Sequence, residues 1–198
     1  VLIIDLSLQT AGAQKSLLTM LEHFSSTDIK LGLLCSERSL LKEKASRLPH
    51  LDVLSIPDIS PVLWYTVKNS FLHEIVRGRV GIIKVPLKYR RQSLKLGRVI
   101  RSWRPDLIHA NNWVVGQFIA PWCYWRRKQL TVHLRDLDCP PDDRITPWLL
   151  GQARGFSAIS NTVSDCWRHK KLPKDKITIV PNPLDEKEFA PGAPRLAW

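Results

Sequence analysis

Short apolar runs alternate with helical segments along almost the entire chain, and this alternation is the feature that most constrains the fold. The predicted strands cover residues 1–8, 29–35, 51–56, 106–110, 130–134, 156–159 and 176–180. Helical periodicity extends over residues 15–24, 40–48, 62–77, 88–103, 114–127 and 163–171, and a proline-rich loop is predicted over residues 138–147. Strands and helices that alternate at this spacing form βαβ units. The sequence therefore predicts an α/β domain with a mostly parallel sheet.

Several predicted strands end in side chains that form hydrogen bonds. The clearest example is the stretch Arg104-Pro-Asp-Leu-Ile-His-Ala-Asn-Asn-Trp, in which an apolar run stops at a histidine and two asparagines. Ligands of open parallel sheets bind outside the carboxyl ends of the strands, so we expect these side chains to face a ligand. The polar residues at the strand ends are His109, Asn111, Asn112, His133, Arg135, Asp136 and Ser160.

These strand-end residues also have a structural interpretation. A single histidine in such a place is often a structural residue with satisfied hydrogen bonds, and Arg135 and Asp136 could form a salt bridge with each other. In the ligand-binding interpretation, His133 forms a hydrogen bond with a sugar hydroxyl or a carbonyl, and Arg135 pairs with a phosphate or a carboxylate. The sequence leaves both interpretations open.

The small residues Ala11, Gly12 and Ala13 lie between the first predicted strand and the first predicted helix. Small side chains there let a ligand approach the backbone, and the N-terminus of a helix favours an anion. The alternative is a tight turn with Gly12 at positive φ. The turn is neither a Walker loop nor a GxGxxG motif.

The chain is strongly basic, with thirty Lys and Arg against eighteen Asp and Glu and a formal net charge of +12. Residues 61–104 hold eleven of the basic residues, one acid, Glu74, and many large apolar side chains. This segment fits a solvated helical face, a membrane-surface patch or a nucleic-acid surface. Tryptophans at positions 64, 103, 122 and 125 favour the membrane interpretation, and we predict no nucleic-acid partner.

The cysteines and histidines indicate neither a metal site nor a disulfide framework. Cys35, Cys123, Cys139 and Cys166 form no CxxC pair, and the six histidines show no i, i+4 spacing. We predict reduced thiols, a cytosolic compartment and no metal. No apolar run is long enough to span a membrane, and no signal peptide precedes the first strand. Because the chain begins at Val1 without a methionine, we expect its N-terminus to have been trimmed.

Seven motifs follow one another along the chain and together carry a family resemblance. They are Val1-Leu-Ile-Ile, Ala11-Gly-Ala-Gln-Lys-Ser-Leu-Leu, Arg104-Pro-Asp-Leu-Ile-His-Ala-Asn-Asn, Val132-His-Leu-Arg-Asp, Ala158-Ile-Ser-Asn-Thr, Lys176-Ile-Thr-Ile-Val-Pro-Asn-Pro-Leu-Asp and Phe189-Ala-Pro. In this order they resemble the N-terminal domain of GT-B glycosyltransferases of the retaining, family-four type, over nearly the whole chain.

The resemblance implies a Rossmann-like three-layer domain, the N-terminal half of a GT-B fold. Such enzymes transfer a sugar from a nucleotide-sugar to an acceptor in a cleft between two Rossmann-like domains, and they need no cofactor beyond the donor substrate. By this resemblance, residues 1–185 form the acceptor-side domain and residues 186–198 begin the interdomain linker. The C-terminal donor-binding domain is then absent, and we expect the isolated chain to be inactive.

The resemblance also assigns roles to residues. His133 falls where the family has a cleft histidine that contacts the transferred sugar, so it is the candidate catalytic residue. The candidate substrate-binding residues are Gly12, Ala13, Gln14, Lys15, His109, Asn111, Asn112, Arg135, Asp136, Ser160 and Asn182. Two motifs depart from the family. Gln14 replaces the usual glutamate of the first loop, and Pro183 replaces the glycine of the Pro-Asn-Gly loop, where it fixes φ.

The predicted partners are a nucleotide-sugar donor, a lipid-linked or polysaccharide acceptor and the missing donor domain. The basic aromatic segment adds an anionic membrane surface, so we expect a cytoplasmic protein that associates peripherally with the inner face of the membrane. The alternative is a non-catalytic binding or membrane-recruitment subunit for a separate catalytic partner. An exposed apolar patch at a sheet edge or on the cleft side would favour this alternative.

Overall fold

A computed structural model describes residues 1–8, 11–24, 28–57, 87–136 and 145–183. The strands are β1 (Leu2–Asp5), β2 (Leu31–Ser36), β3 (Leu51–Ile56), β4 (Leu107–Ala110), β5 (Gln129–Leu134), β6 (Gly155–Ala158) and β7 (Ile177–Ile179). The helices are α1 (Gly12–His23), α2 (Leu40–Ala45), α3 (Leu87–Trp103), α4 (Trp113–Trp125), α5 (Ile145–Leu150) and α6 (Asn161–His169), and Lys174–Lys176 form a short 3₁₀ helix.

The seven strands form one parallel sheet in the order β3-β2-β1-β4-β5-β6-β7. The first three strands extend the sheet in one direction, and β4 then pairs with the other side of β1. The order of the strands therefore reverses between β1 and β4. In open α/β sheets a crevice forms at this point, outside the carboxyl ends of the strands.

Helices cover the sheet from both sides because successive strand residues point to opposite faces. Ile4 belongs to a core with Ile100 of α3 and Ile119 of α4, whereas its neighbour Ile3 belongs to a second core with Leu17 of α1. All five side chains are at most 3% exposed. The result is a three-layer, Rossmann-like α/β domain, which confirms the predicted fold class.

The predicted strands all occur, and the bounds of the described helices differ from prediction by up to three residues, with one additional helix. The first helix begins at Gly12 rather than at residue 15, because the small residues form its first turn instead of a separate turn. Gly12 is accordingly not in the left-handed region that the tight-turn alternative required. Part of the predicted proline-rich loop is the helix α5, where Pro147 lies in the first turn and its missing N–H removes no helical hydrogen bond.

The basic aromatic segment is described only in part. The second predicted helix, over residues 88–103, corresponds to α3, and its Leu96 and Ile100 are buried as expected. The first predicted helix, over residues 62–77, lies outside the described residues. Its relation to the rest of the fold therefore stays a prediction.

The prediction that all cysteines are reduced was wrong for Cys166, which is disulfide-bonded. Cys35 and Cys123 are free and buried, and burial raises their pKa values to about 11 and about 12. The thiolate is the reactive form of cysteine, so these two side chains act as packing residues at neutral pH. The spacing of the cysteines did not indicate the disulfide because the fold, and not the sequence, brings such residues together.

Within the described ranges, no helix is both long enough and apolar enough to cross a membrane. The same residues contain no group of three His, Cys, Asp or Glu side chains placed to hold a metal ion.

Candidate active site

A polar cluster lies at the carboxyl ends of the central strands, where the strand order reverses. Asp5 is the last residue of β1, and Asn111 and Arg135 directly follow β4 and β5. Gln14 and Ser16 come from the start of α1. All five are at most 7% exposed. A buried polar cluster costs free energy unless its hydrogen bonds are satisfied.

Asp5 is the buried carboxylate of this cluster. Its Oδ2 accepts hydrogen bonds from Gln14 Nε2 at 2.9 Å and from Asn111 Nδ2 at 2.6 Å. Its Oδ1 accepts a third from the backbone N–H of Ser7 at 2.8 Å. These three hydrogen bonds satisfy both oxygens of a side chain that has no exposure to water.

Arg135 is the buried cation, and its planar fork contacts the other side of the cluster. Its Nε donates to the backbone oxygen of Asn111 at 3.2 Å, and its Nη2 donates to Asn111 Oδ1 at 2.9 Å. Its Nη1 donates to Ser16 Oγ at 3.1 Å and to Asn182 Oδ1 at 2.6 Å. Burial lowers the pKa of Arg135 to about 10, against the opposing effects of Asp5 and Asp136. Arg135 is therefore still a cation at neutral pH.

Asn111 joins the two charges, because its amide donates to Asp5 and its side-chain oxygen accepts from Arg135. The charges of Asp5 and Arg135 thus compensate each other through one neutral side chain. The polar groups of Gln14, Asn111 and Arg135 contact protein atoms here. Their predicted roles as direct substrate ligands stay predictions, and the structure adds a role in holding three strand ends together.

The N-terminus of α1 lies beside this cluster. Its N-cap residue is Ala11, which has no side-chain acceptor, and Gln14 Oε1 accepts the Ala11 backbone N–H at 3.0 Å. Gly12 is exposed, and a Cβ atom built on it would meet nothing within 4 Å. The first turn of a helix carries unpaired N–H groups and a partial positive charge. This end of α1 is therefore open to an anionic group.

Two histidines lie next to each other on the sheet face that packs against α1. The rings of His109 and His133 are 5.8 Å apart, edge to face at 74°. His109 Nδ1 lies 2.9 Å from Thr131 Oγ1, a contact that fixes its ring. His133 is 5% exposed, and its Nε2 is buried and has no hydrogen-bond partner among the described residues. A buried polar atom without a partner is a point at which a ligand can bind.

Both imidazoles are neutral at physiological pH. Burial, together with the positive charge of Arg135, lowers the pKa of His109 to about 4. Burial, Arg135 and then His109 lower the pKa of His133 to about 3. A neutral imidazole can donate a hydrogen bond at one nitrogen and accept one at the other. Depending on its tautomer, His133 Nε2 can therefore donate a hydrogen bond to a hydroxyl group or accept one from it.

The other predicted site residues separate into two groups. Asn112 and Ser160 cap helices, since their side-chain oxygens accept the backbone N–H groups of Val115 at 2.8 Å and Val163 at 3.2 Å. These hydrogen bonds give both side chains a structural role as helix N-caps. The remaining residues are Lys15 and Asp136, which are exposed at the same edge of the sheet, Ala13, which is half-buried in the first turn of α1, and Asn182, which contacts Arg135.

Sequence reasoning missed two members of the cluster, Asp5 and Ser16. Asp5 is the only acid in the first apolar run, and an acid at the end of a buried strand is a signal that could have been used. Ser16 gave no signal, because a serine one turn into a helix is usually a surface residue. Its role depends on its contact with Asn182, 166 residues away, where Ser16 Oγ donates to Asn182 Oδ1 at 3.1 Å.

The doubly wound sheet and the polar cluster at its reversal point define a Rossmann-like α/β domain with a candidate ligand site at the strand ends. The sequence model of Glycosyltransferase Family 4 matches residues 10–188, most of the chain, and the chain belongs to this family. No curated protein sequence matches the chain.

Several solved structures have a similar fold. Anabaena Alr3699/HepE in complex with UDP and glucose superposes with a TM-score of 0.65 at 17% identity, over 93% of this chain and 44% of that chain. A glycosyltransferase from Rickettsia africae gives 0.62 at 12% identity, over 96% and 44%. The lipopolysaccharide outer core galactosyltransferase WaaB gives 0.59 at 13% identity, over 94% and 46%. The chain thus spans less than half the length of each of these structures.

Proposed function

We propose that this chain is the acceptor-side domain of a retaining glycosyltransferase of hexosyltransferase type, which transfers a sugar from a nucleotide-sugar to an acceptor. Membership of Glycosyltransferase Family 4 supports the class of reaction. The observation that carries the proposal is the buried, unpartnered Nε2 of His133 at the sheet edge where the strand order reverses. This edge is where a doubly wound sheet binds its ligand.

The open N-terminus of α1 is the proposed site of the donor diphosphate. Gly12 and Ala13 supply backbone N–H groups in the first turn, and no described atom lies within 4 Å of a Cβ built on Gly12. A diphosphate gains negative charge as the sugar departs, so amides and a helix dipole fixed in this position stabilise the transition state. Gln14 is neutral and already bonded to Asp5, so it adds no charge at this position.

His133 is proposed to contact the transferred sugar. Because its imidazole is neutral, it forms a hydrogen bond with a sugar hydroxyl without adding a second positive charge next to Arg135. Catalysis of this type depends on holding the sugar against the acceptor and on stabilising an oxocarbenium-like transition state. His109, in contact with both His133 and Thr131, orients the His133 ring.

The acceptor is proposed to be a lipid-linked or polysaccharide glycan, and the site of action the inner face of a membrane. The basic composition of residues 61–104 supports an anionic surface as partner. The disulfide at Cys166 counts against a reducing compartment, since disulfides are rare in the cytosol. Counting the free thiols of the protein isolated from its own cells under alkylating conditions would test the cytoplasmic placement.

The alternative function, a binding subunit that recruits a separate catalytic partner, has one observation in its favour. Ile179 and Val180, on and just after the edge strand β7, are 39% and 43% exposed. An apolar patch at a sheet edge is suited to a partner protein or a further domain. A donor-binding domain in the same natural polypeptide would favour the transferase.

The test of the transferase proposal is turnover by the natural full-length protein after substitution of His133. We expect His133→Ala to lower kcat by roughly 10²-fold, because the contact exists mainly in the transition state. His133→Gln, which retains one hydrogen-bonding group, should recover part of the loss. Unchanged turnover in both variants would remove His133 from the mechanism. The matched control is His169→Ala on the exposed end of α6.

A further inference from the structure

An apolar groove runs between α3 and α4, away from the strand ends that form the candidate active site. It encloses about 290 Å³ and is lined from α3 by Leu96, Gly97 and Ile100 and from α4 by Phe118, Trp122 and Trp125. A Cβ atom on Gly97 would lie 2.9 Å from Trp122 Nε1, so the indole lies directly over the glycine. The missing side chain of Gly97 therefore makes room for the Trp122 indole, which forms part of the groove wall.

The groove ends at an exposed tryptophan, which is preceded in the chain by an exposed tyrosine outside the groove lining. Trp125 is 80% exposed and Tyr124 is 68% exposed, both in the last turn of α4. The guanidinium of Arg126 lies 5.5 Å from the centre of the Trp125 ring. Exposed aromatic rings next to cations are typical of surfaces that lie in the headgroup region of a bilayer.

The charged residues of the two helices that line the groove have one sign. The sequence from residue 87 to residue 104 contains seven basic residues and no acid, and α4 contains no acid either. Arg101 follows Gly97 by one helical turn, and Arg126 follows Trp122 by one turn, so both cations lie beside the groove. Both side chains are exposed. Basic residues at this density attract an anionic lipid surface.

We propose that the α3–α4 groove is a docking surface for an anionic phospholipid bilayer. Trp125 enters the headgroup region, an acyl chain segment contacts the apolar groove, and Arg101 and Arg126 pair with lipid phosphates. The combination favours a lipid over a nucleic acid, because an apolar groove offers nothing to a phosphate backbone. The groove lies on the layer formed by α3 and α4, so docking leaves the carboxyl edge of the sheet open for substrates.

This inference rests on the proposed function for its biological setting, because a lipid-linked acceptor requires access to a membrane. The geometry that supports it is independent of His133 and of the polar cluster. The experiment therefore measures binding to vesicles in the absence of donor and acceptor. A lack of vesicle binding would contradict docking without bearing on sugar transfer, and a lack of sugar transfer would not bear on docking.

The experiment is flotation of the natural full-length protein with vesicles of phosphatidylcholine alone or with phosphatidylglycerol added. We expect binding to the anionic vesicles and little to the neutral ones. Trp125→Ala should weaken the partition coefficient about tenfold by removing apolar surface. The double variant Arg101→Gln/Arg126→Gln should weaken it roughly 25-fold, at about fivefold for each charge removed.

Two control variants distinguish docking at the groove from nonspecific adsorption to the vesicles. Trp148→Ala removes a tryptophan of similar exposure, 65%, that does not line the groove. Lys44→Gln/Lys174→Gln removes two exposed charges elsewhere on the chain. Both controls should bind as the wild type does. Equally weakened vesicle binding in the control variants and the groove variants would overturn the proposal. So would a lack of binding to anionic vesicles, with or without salt-dependent binding to duplex DNA.

Discussion

Arg135 Nη1 lies 2.6 Å from Asn182 Oδ1 and 3.1 Å from Ser16 Oγ, so one guanidinium nitrogen contacts both the N-terminal half of α1 and the segment that follows β7. The other nitrogens contact Asn111, which in turn contacts Asp5. Segments far apart in the sequence therefore meet in one buried network at the candidate active site. The geometry of that site depends on Arg135.

The first prediction concerns the fork of Arg135. Arg135→Lys keeps the charge but cannot make the parallel contacts with Asn111 and Asn182, so it should lower the free energy of unfolding by about 2 kcal/mol or more. Denaturant unfolding at neutral pH measures this change. Arg154→Lys, at an exposed position, is the control and should change stability by less than about 0.5 kcal/mol. Equal stability of both variants would show that the network contributes little.

The second prediction concerns pH and the buried histidines. The pKa values of His109 and His133 fall to about 4 and about 3 in the folded chain, from the 6.5 of an unperturbed histidine. Above pH 6.5 both states are neutral, so the two histidines make no pH-dependent contribution. Below it the unfolded chain binds protons first, and stability should fall as the pH decreases from 6.5 toward 4.

The size of this effect can be measured with a matched variant. At pH 5 each imidazole should lower the free energy of unfolding by up to about 2 kcal/mol relative to pH 7. The double variant His109→Gln/His133→Gln should lose most of this dependence, whereas a variant of the exposed His169 should retain it. If the free energy of unfolding of the double variant decreased with pH as it does in the wild type, the low pKa values of these two imidazoles would not be the cause of the decrease.

The third prediction uses Gly116 to test the packing of α4 on the sheet. A Cβ atom at Gly116 would lie 2.8 Å from Val132 Cγ1 and 3.2 Å from Leu150 Cδ2. Gly116→Ala should therefore lower the free energy of unfolding by about 1–3 kcal/mol through overpacking. Gly12→Ala is the comparison for stability, because a Cβ there meets nothing within 4 Å and alanine favours the helix. A smaller loss at Gly116 than at Gly12 would contradict the described packing.

The fourth prediction concerns the anion site at the N-terminus of α1. Gly12→Asp places a carboxylate beside the open amides, where it competes with the donor diphosphate. In the natural full-length protein, the KM for the nucleotide-sugar should rise by roughly tenfold or more, while Gly12→Asn, similar in shape and uncharged, should raise it less. Equal effects of both variants would point to the shape of the side chain instead of its charge.

The fold was predictable because its signals are local. Apolar runs of strand length, helical periodicity and the small residues around Gly12 each depend on neighbours in the sequence, and together they predicted the parallel sheet. The errors were at boundaries. Gly12 begins α1 instead of preceding it, and α5 begins inside a segment whose prolines indicated a loop. The first turn of a helix accepts both glycine and proline, so these residues mark its start poorly.

The candidate site was only partly predictable because its contacts are long-range. The expectation that polar residues at strand ends face a ligand identified Asn111, His133 and Arg135. It did not show which of their polar atoms form hydrogen bonds within the protein. Asp5 and Asn111 are 106 residues apart, and no spacing in the sequence indicates that their side chains meet. The disulfide at Cys166 was missed for the same reason. Local patterns predict which strand ends are polar, and only the fold determines which of these groups stay available to a ligand.

The most direct test of the central claim compares sugar transfer by the natural full-length protein with transfer by the 198-residue chain alone, over a panel of nucleotide-sugars and membrane-extracted acceptors. The account predicts transfer by the full-length protein and none by the isolated chain, since the donor-binding half is proposed to lie outside it. Turnover by the isolated chain, or no transfer by the full-length protein with any donor in the panel, would contradict the assignment of this domain as the acceptor-side half of a glycosyltransferase.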